Sequence, residues 1–267
     1  MDRGFLFGDG VYEVIPAYGR RLFRLDQHLQ RLHNSLQAVN IPDPMSRDAW
    51  QHMLEKLVTR NDGDDQSIYL QVTRGVVSKR DHVFDATLEP TVFAMSTPLE
   101  ISAASGSASG IAAITLDDIR WQRCHIKAIT LLPNVLLRQQ AIDAGAAEAI
   151  LVRDGFAREG AASNLFVVQH DLLLTPPKGP LLLPGITRDL ILELAVANAI
   201  PFREADIEAD SLATSDEIWL TSSTREIMPV TTLDDKPVGG GEAGPVYDRM
   251  TALFQDYKSR VRAGEAT

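Results

Sequence analysis

Lys127 is the single cation between Ile126 and Leu137 in the stretch RCHIKAITLLPNVLLRQQA, which runs from Arg123 to Ala141. Loss of water lowers the pKa of an amine, and a neutral lysine amine is a nucleophile that can form a Schiff base. The other interpretation is a surface lysine whose stem covers apolar neighbours while its ammonium group stays in water. The residue type and its setting leave both interpretations open.

Glu159 lies in EGAASN, directly after a predicted β-hairpin. The hairpin is indicated by Asp154-Gly155 between EAILVR and FAREG, because two-residue hairpin turns favour this pair. A carboxylate at this place can keep a ring nitrogen of a bound cofactor protonated. Alternatively, it is an exposed glutamate at the end of a hairpin strand.

Two segments carry the donors that a phosphate group needs. They are LLPGITR at 182–188, where Gly185, Ile186 and Thr187 lead into a predicted helix, and TSSTRE at 221–226. A helix N-terminus has free N–H groups and a positive dipole end, and small hydroxyl residues add further donors. Arg31 is a candidate third partner of the phosphate, although it could equally be a solvated helix arginine.

Arg80 and His82 stand two residues apart in KRDHVF. In an extended segment, residues at this spacing point to the same side and can converge on a carboxylate. The alternative interpretation is a polar surface loop after a strand.

The elements that must position these residues include both helices and strands. Leucines at helical spacing predict an amphipathic helix over 26–39 with Asp26 as its cap, and a second helix is predicted after Ser46. Strands are predicted at SIYLQVTRG and TVFAMSTPL, and the small residues of ISAASGSASG (101–110) are typical of an interdomain linker. Further strands are predicted at IAAIT, NLFVVQ and EIWLTSS, and further helices at 134–145, after Thr187 and near the C-terminal Tyr257.

Composition excludes several classes of function. The 267 residues carry a formal charge of -10, and no basic patch compensates for it, so nucleic acids and anionic membranes are not expected partners. Cys124 is the only cysteine, which rules out an intrachain disulfide and favours a reducing cytoplasm. The start MDRGFLFGDG lacks the pattern of a signal peptide, no apolar run is long enough to span a bilayer, and no metal site is predicted.

Taken together, these stretches resemble the fold-type IV pyridoxal-phosphate-dependent aminotransferase family, and within it the D-amino-acid aminotransferases. The matching pieces extend over nearly the whole chain: DRGFLFGDGVYE, HLQRL around Arg31, YLQVTRG followed by KRDH, CHIKAITLLPNVL, EGAASN, LLPGITR and TSSTRE. Agreement of seven pieces in order and spacing favours the functional interpretation of each residue discussed above.

The resemblance implies pyridoxal 5'-phosphate as cofactor and a role for each matched residue. Lys127 would form the Schiff base with the cofactor and then move the proton between the substrate Cα and the cofactor, and Glu159 would pair with the pyridine nitrogen. The remaining cofactor contacts would come from residues at the phosphate and the ring: Arg31, Ile186, Thr187, Ser222, Ser223 and Leu183.

The resemblance also implies the substrate and the assembly. Tyr12, Arg80 and His82 would bind the α-carboxylate of a D-amino acid such as D-alanine, whose amino group would pass to a 2-oxo acid such as 2-oxoglutarate in a ping-pong cycle through pyridoxamine phosphate. The loop of Arg80 and His82 would be donated to the site of the neighbouring subunit, so we expect a homodimer. The alternatives are a branched-chain L-amino-acid aminotransferase, an aminodeoxychorismate lyase, or a truncated relative without catalytic activity.

The expected fold class is α+β with two domains. We predict a small α/β domain over 1–102, a linker over 103–110 and a larger cofactor-binding domain over 111–267; its β-barrel-like core is implied by the resemblance alone. Family members usually carry residues before DRGFLFGDG that contain the first strands of the small domain. Here Met1 directly precedes that stretch. Either the start codon lies further upstream, or the small domain lacks those strands and has an unpaired sheet edge.

Overall fold

The computed structural model describes residues 1–99 and 110–266. The predicted linker at 103–110 lies outside the described residues, apart from Gly110. The described chain forms two compact units, the first containing 1–99, 126–131 and 258–266, the second 110–125 and 132–257. The domain bounds 1–102 and 111–267 stay a prediction. They assign residues 126–131 and 258–266 to the second domain, whereas in the structure these residues pack with the N-terminal residues.

The first unit contains a small antiparallel sheet. Its strands are β1 (Gly10–Tyr18), β2 (Arg21–Leu22), β3 (Gln66–Thr73) and β4 (Thr91–Pro98). They are arranged in the order β2-β1-β3-β4, with Val14 opposite Tyr69 and Tyr69 opposite Met95. Because side chains alternate along a strand, Val11 and Ile15 of β1 face the core while Tyr12 and Val14 face the other side and stay half-buried.

Three helices belong to this unit: α1 (Arg3–Phe7), α2 (Leu25–Ala38) and α3 (Arg47–Arg60). The leucines of α2 and Trp50, Leu54 and Val58 of α3 pack on the core face of the sheet, as their spacing predicted. Ser46 caps α3 by accepting from the Ala49 N–H. The expected Asp26 cap of α2 is wrong, because the helix begins at Leu25 and Asp26 lies in its first turn, where its charge suits the helix dipole.

The second unit is built on a ten-stranded sheet. Its strands are β5 (Ile111–Asp117), β6 (Glu148–Arg153), β7 (Phe156–Gly160), β8 (Asn164–Gln169), β9 (Leu172–Thr175), β10 (Phe202–Glu204), β11 (Ile207–Glu208), β12 (Glu217–Ser222), β13 (Glu226–Leu233) and β14 (Lys236–Pro237).

Six of these strands close into a barrel in the order β8-β12-β13-β5-β6-β7. Closure comes from β7 and β8, which pair only through Glu159 and Asn164. The predicted hairpin is present between β6 and β7, where Asp154 and Gly155 both have positive φ as this turn requires. The α+β class and the barrel are therefore confirmed.

Helices α4 (Leu132–Asp143), α5 (Ile186–Ala197) and α6 (Pro245–Ala263) and a short 3-10 helix (Ala209–Thr214) complete the elements. Buried apolar side chains from β5, β6, β8, β12 and β13 fill the main core of the second unit. In the part of the chain that the structure describes, no helix has the length and apolar character to cross a membrane.

Candidate active site

Lys127 lies in the short segment 126–131, which belongs to the first unit. Backbone contacts hold this segment to β1: Val11 forms a bridge with Ala128, and the Tyr12 N–H donates to the Lys127 carbonyl at 2.9 Å. From α2, Ser35 Oγ accepts the Lys127 N–H at 3.2 Å. The backbone of Lys127 is therefore fixed on both sides, which leaves its side chain to be oriented by its neighbours.

The Lys127 ammonium nitrogen lies 4.2 Å from the centre of the Tyr12 ring. Tyr12 in turn stacks on Tyr69 at 5.7 Å between ring centres. A cation over an aromatic face is attracted by the ring quadrupole, so Tyr12 gives the half-buried lysine a favourable resting place without neutralising it by a carboxylate. Tyr12 was predicted to bind a substrate carboxylate, and the structure places it beside Lys127.

Arg31 is buried and forms a bidentate ion pair with Glu13. Its Nε donates to Glu13 Oε1 at 2.8 Å and a terminal nitrogen donates to Oε2 at 2.7 Å. Burial opposes the charge on Glu13, but Arg31 and a hydrogen bond from His28 outweigh it and lower the pKa of Glu13 to about 2. Arg31 therefore presents a permanently charged guanidinium whose orientation is set by Glu13.

His28 completes this group. Burial lowers its pKa, so it is neutral at pH 7 although Glu13 counteracts the effect. An ionised Glu13 only accepts, so the 2.7 Å contact to Nδ1 assigns the proton to Nδ1. The buried Nε2 is then an acceptor that lacks a hydrogen-bond partner among the described residues.

Arg80 and His82 lie in an exposed loop after β3. The structure brings them together on one ring: the centre of Phe7 lies 4.9 Å from the Arg80 guanidinium carbon and 5.2 Å from the centre of the His82 ring. Tyr12 is not part of this group, since its side-chain contacts among the described residues are with Lys127 and Tyr69.

In the second unit, Glu159 lies buried at the end of β7 and is not the exposed hairpin glutamate of the alternative interpretation. Three donors reach its carboxylate: Arg120 at 2.5 Å, Asn164 Nδ2 at 3.0 Å and the Leu183 N–H at 3.0 Å. Asp118 holds the Arg120 guanidinium through two further hydrogen bonds. Burial raises the pKa of Glu159, and Arg120 and the Leu183 N–H offset this only in part.

The two predicted phosphate segments lie at the start of a helix and at a turn between two strands. Gly185 is the N-cap of α5, so the N–H groups of Ile186 and Thr187 lie in the first helical turn and have no partner within the helix. Ser222 and Ser223 lie at the turn between β12 and β13, where Ser222 Oγ accepts the Arg225 N–H at 3.2 Å. The Arg225 guanidinium is bound in turn by the fully buried Glu148.

Two independent comparisons now show the family of the chain. Residues 10–233 match the family described as amino-transferase class IV. The chain is 41% identical over 255 residues to a D-alanine aminotransferase of Bacillus licheniformis, covering 96% of this chain and 89% of the relative. The chain belongs to the class IV aminotransferases. The resemblance seen in the sequence is confirmed.

A further relative and two solved structures agree with this assignment. A D-alanine aminotransferase of Listeria monocytogenes is 38% identical over 262 residues, 97% of this chain and 90% of the relative. The solved branched-chain amino acid aminotransferase of Escherichia coli superposes with a TM-score of 0.88 at 29% identity, covering 100% of this chain and 90% of the other. A hypothetical aminotransferase from Mycobacterium tuberculosis, solved in an alpha-ketoglutarate and PMP bound form, shares the fold, with a TM-score of 0.84 at 24% identity and coverage of 99% and 92%.

Sequence reasoning missed the residues that hold the predicted ones. Arg120 and Asn164 bind Glu159, Glu13 binds both Arg31 and His28, and Glu148 binds Arg225. All of these contacts except that of Asn164 join positions far apart in the chain. A charged residue inside an apolar strand, such as Glu13 in GVYEVIPAY, was the one available signal, because a buried charge needs a partner.

Proposed function

We propose that this class IV aminotransferase moves the amino group of a D-amino acid such as D-alanine to a 2-oxo acid such as 2-oxoglutarate in a ping-pong cycle. The observation that carries the proposal is the 41% identity to a D-alanine aminotransferase across 96% of the chain. Further support comes from each unit taken by itself: Lys127 has no carboxylate among its described contacts, and Glu159 is buried and accepts three hydrogen bonds.

The residues fit pyridoxal 5'-phosphate as cofactor. When bound, it supplies a ring that accepts the electrons released as a proton leaves the substrate Cα. Glu159 offers a buried carboxylate of raised pKa to the protonated ring nitrogen, and Leu183, whose N–H orients that carboxylate, offers its side chain to the ring. The donor set for the phosphate consists of the first turn of α5 with Ile186 and Thr187, the hydroxyls of Ser222 and Ser223, and Arg31.

Lys127 would carry the cofactor covalently and, once released, move the proton to and from the substrate Cα. The described contacts of Lys127 include no carboxylate, so its amine is not held in an ion pair that would have to break before it reacts. The Tyr12 ring beneath the amine supports its charged form without forming a hydrogen bond that would have to break.

Arg80 and His82 would bind the substrate carboxylate, as a guanidinium and an imidazole on one side of a loop can do together. We propose that they serve the neighbouring subunit of a homodimer, with Tyr12 on the receiving side. Support comes from apolar side chains exposed on each unit: Phe93 and Met95 on β4, and Leu132, Val135 and Leu136 on α4. Exposed apolar patches of this kind mark interaction sites.

A cytoplasmic location is part of the same proposal. Cys124 is buried and its thiol contacts the Trp121 carbonyl, so it is a small core residue rather than a half-cystine. Its single occurrence suits a reducing compartment.

A branched-chain L-amino-acid aminotransferase is the second candidate, favoured by the superposition on the Escherichia coli enzyme. The two candidates differ in the handedness of the substrate. Activity with D-alanine and L-leucine, measured in parallel with 2-oxoglutarate, separates them, and turnover of L-leucine alone would refute the D-amino-acid assignment.

The first test of the proposal is an absorbance spectrum of the protein with added pyridoxal phosphate, taken before and after D-alanine and then L-alanine. We expect a visible band that D-alanine alone converts to the shorter-wavelength pyridoxamine form. Lys127→Ala should still bind the cofactor but lose transamination and the visible band. Normal turnover by this variant would contradict the role of Lys127.

A further inference from the structure

Arg3 is a buried arginine whose side chain supports an exposed loop. One terminal nitrogen donates to the Asp81 carbonyl at 2.7 Å and the other donates to the His82 carbonyl at 3.0 Å. Arg3 itself is 3% exposed. A single guanidinium thus holds two consecutive peptide groups of the segment that carries Arg80 and His82.

The orientation of Arg3 is fixed from behind by a second arginine and an aspartate. Arg3 Nε donates to Asp9 Oδ2 at 2.8 Å, and the Arg74 guanidinium binds both oxygens of the same carboxylate at 2.8 and 2.9 Å. Arg74 also lies 3.7 Å from the centre of the Phe84 ring, at the far end of the loop. The loop is therefore tied at two places to one ionic cluster.

Phe7 provides the surface on which the two side chains rest. It follows Arg3 by four residues on α1, and its ring contacts Arg80 and His82 as well as the Arg3 guanidinium, whose carbon lies 4.8 Å from the ring centre. Phe5, on the same helix, is 92% exposed and has no comparable contact among the described residues.

We propose that Arg3 and Phe7 are positioning residues: Arg3 sets the backbone of the loop and Phe7 sets the directions of the Arg80 and His82 side chains toward the substrate carboxylate. The inference rests on the proposed function and assigns part of its substrate specificity to α1. An exposed loop has few contacts of its own, so side chains that bind substrate from such a loop depend on contacts from outside it.

Arg3→Lys is the informative variant, because lysine keeps a positive charge beside Asp9 but lacks the fork that reaches two carbonyls. We expect the KM for D-alanine to rise about tenfold while kcat and the absorbance of the bound cofactor stay unchanged. Phe7→Leu should act in the same direction. Phe5→Leu is the matched control on the same helix and should behave as the unmodified protein.

Two readouts separate positioning from a general loss of structure. D-alaninamide lacks the carboxylate, so its slow amino-group transfer should be the same in Arg3→Lys and the unmodified protein. Limited trypsin digestion reports displacement of the loop from the neighbouring subunit, since Lys79 and Arg80 within it are cleavage sites that are exposed on the single chain. Cleavage there should be several-fold faster in Arg3→Lys, with no change in the melting temperature.

Arg80→Gln, measured alongside, distinguishes the possible failures. If Arg80→Gln raises the KM for D-alanine and both Arg3→Lys and Phe7→Leu leave it unchanged, the positioning role is overturned while the carboxylate site stands. If Arg80→Gln itself leaves the KM unchanged, the carboxylate site is wrong and the positioning role falls with it. Equal losses with D-alanine and D-alaninamide would also overturn the inference, since they indicate a structural effect.

Discussion

Arg31 and Glu13 form a bidentate ion pair in which both oxygens of a fully buried carboxylate accept from one guanidinium. Removal of one partner from such a pair leaves an uncompensated charge in the interior. Glu13→Gln should therefore lower the free energy of unfolding by about 3 to 5 kcal/mol, measured by urea denaturation at pH 7. Glu55→Gln, on the exposed face of α3, is the control and should have little effect.

The same pair predicts a pH dependence of stability. The pKa of Glu13 is about 2 in the folded chain against an ordinary value of 4.5. A depressed carboxyl pKa stabilises the fold above the unfolded value and loses that effect as the pH falls toward the folded value. The free energy of unfolding should thus fall by about 3 kcal/mol between about pH 5 and 2. In Glu13→Gln, the free energy of unfolding should depend less on pH over this range. If Glu13→Gln lost as much stability at acidic pH as the unmodified protein does, Glu13 would not be the group that causes the loss.

Arg120 should control how kcat/KM falls at acidic pH, because it sets the pKa of Glu159. Burial raises the pKa of Glu159, and the Arg120 charge opposes that effect. Arg120→Met removes the opposing charge, so the pKa of Glu159 should rise further and the ionised form that pairs with a protonated ring nitrogen should become scarcer. We expect kcat/KM at neutral pH to fall and the acidic limb of its pH profile to move upward.

Arg158→Met is the control for this experiment, since Arg158 directly precedes Glu159 in β7 and pairs with Asp206 instead. Its pH profile should match that of the unmodified protein. A downward shift of the limb in Arg120→Met would refute the electrostatic role of Arg120.

Glu148 should affect cofactor affinity through Arg225. Its carboxylate holds the arginine that follows the Ser222 and Ser223 turn. Glu148→Gln should weaken binding of pyridoxal phosphate about tenfold through misplaced phosphate donors, while the affinity for pyridoxal, which has no phosphate, stays the same. Equilibrium titration of the two ligands measures both effects.

Arg138→Gln is the matched control, because Arg138 approaches the other oxygen of Glu148 at 3.6 Å and leaves the Arg225 contact in place. It should retain the affinity for pyridoxal phosphate. Equal weakening of both ligands in Glu148→Gln would indicate a general disturbance of the second unit rather than an effect on the phosphate turn.

Position 185 requires glycine because a side chain there has no room. Its backbone conformation is open to any residue, since its φ is -71°. An added Cβ would lie 1.8 Å from Asn164 Oδ1, and Asn164 binds both Glu159 and the Leu183 carbonyl. Gly185→Ala should push Asn164 away from Glu159, lower the melting temperature and reduce kcat. Gly179→Ala, where a Cβ would meet no atom within 4 Å, should leave both unchanged.

Local signals account for the parts of this structure that the sequence predicted. The period of the α2 leucines, the Asp154-Gly155 turn and the helix that follows Gly185 all depend on neighbours within a few residues. Other features join positions that are distant in the chain. They are the attachment of residues 126–131 to β1, the closure of the barrel, and the ion pairs that Arg120, Glu13 and Glu148 form. No periodicity encodes such contacts, and the barrel was expected only through resemblance.

The barrel is closed at β7 and β8 by one residue pair, Glu159 and Asn164, whereas its β8–β12 and β12–β13 neighbours pair through five residues each. The barrel is therefore closed by the same carboxylate that we propose pairs with the cofactor. Amide protons on either side of this residue pair should exchange with solvent more slowly when the cofactor is bound. A cofactor that binds the closed barrel would lower the population of its open forms, because a ligand that binds only the folded state stabilises that state.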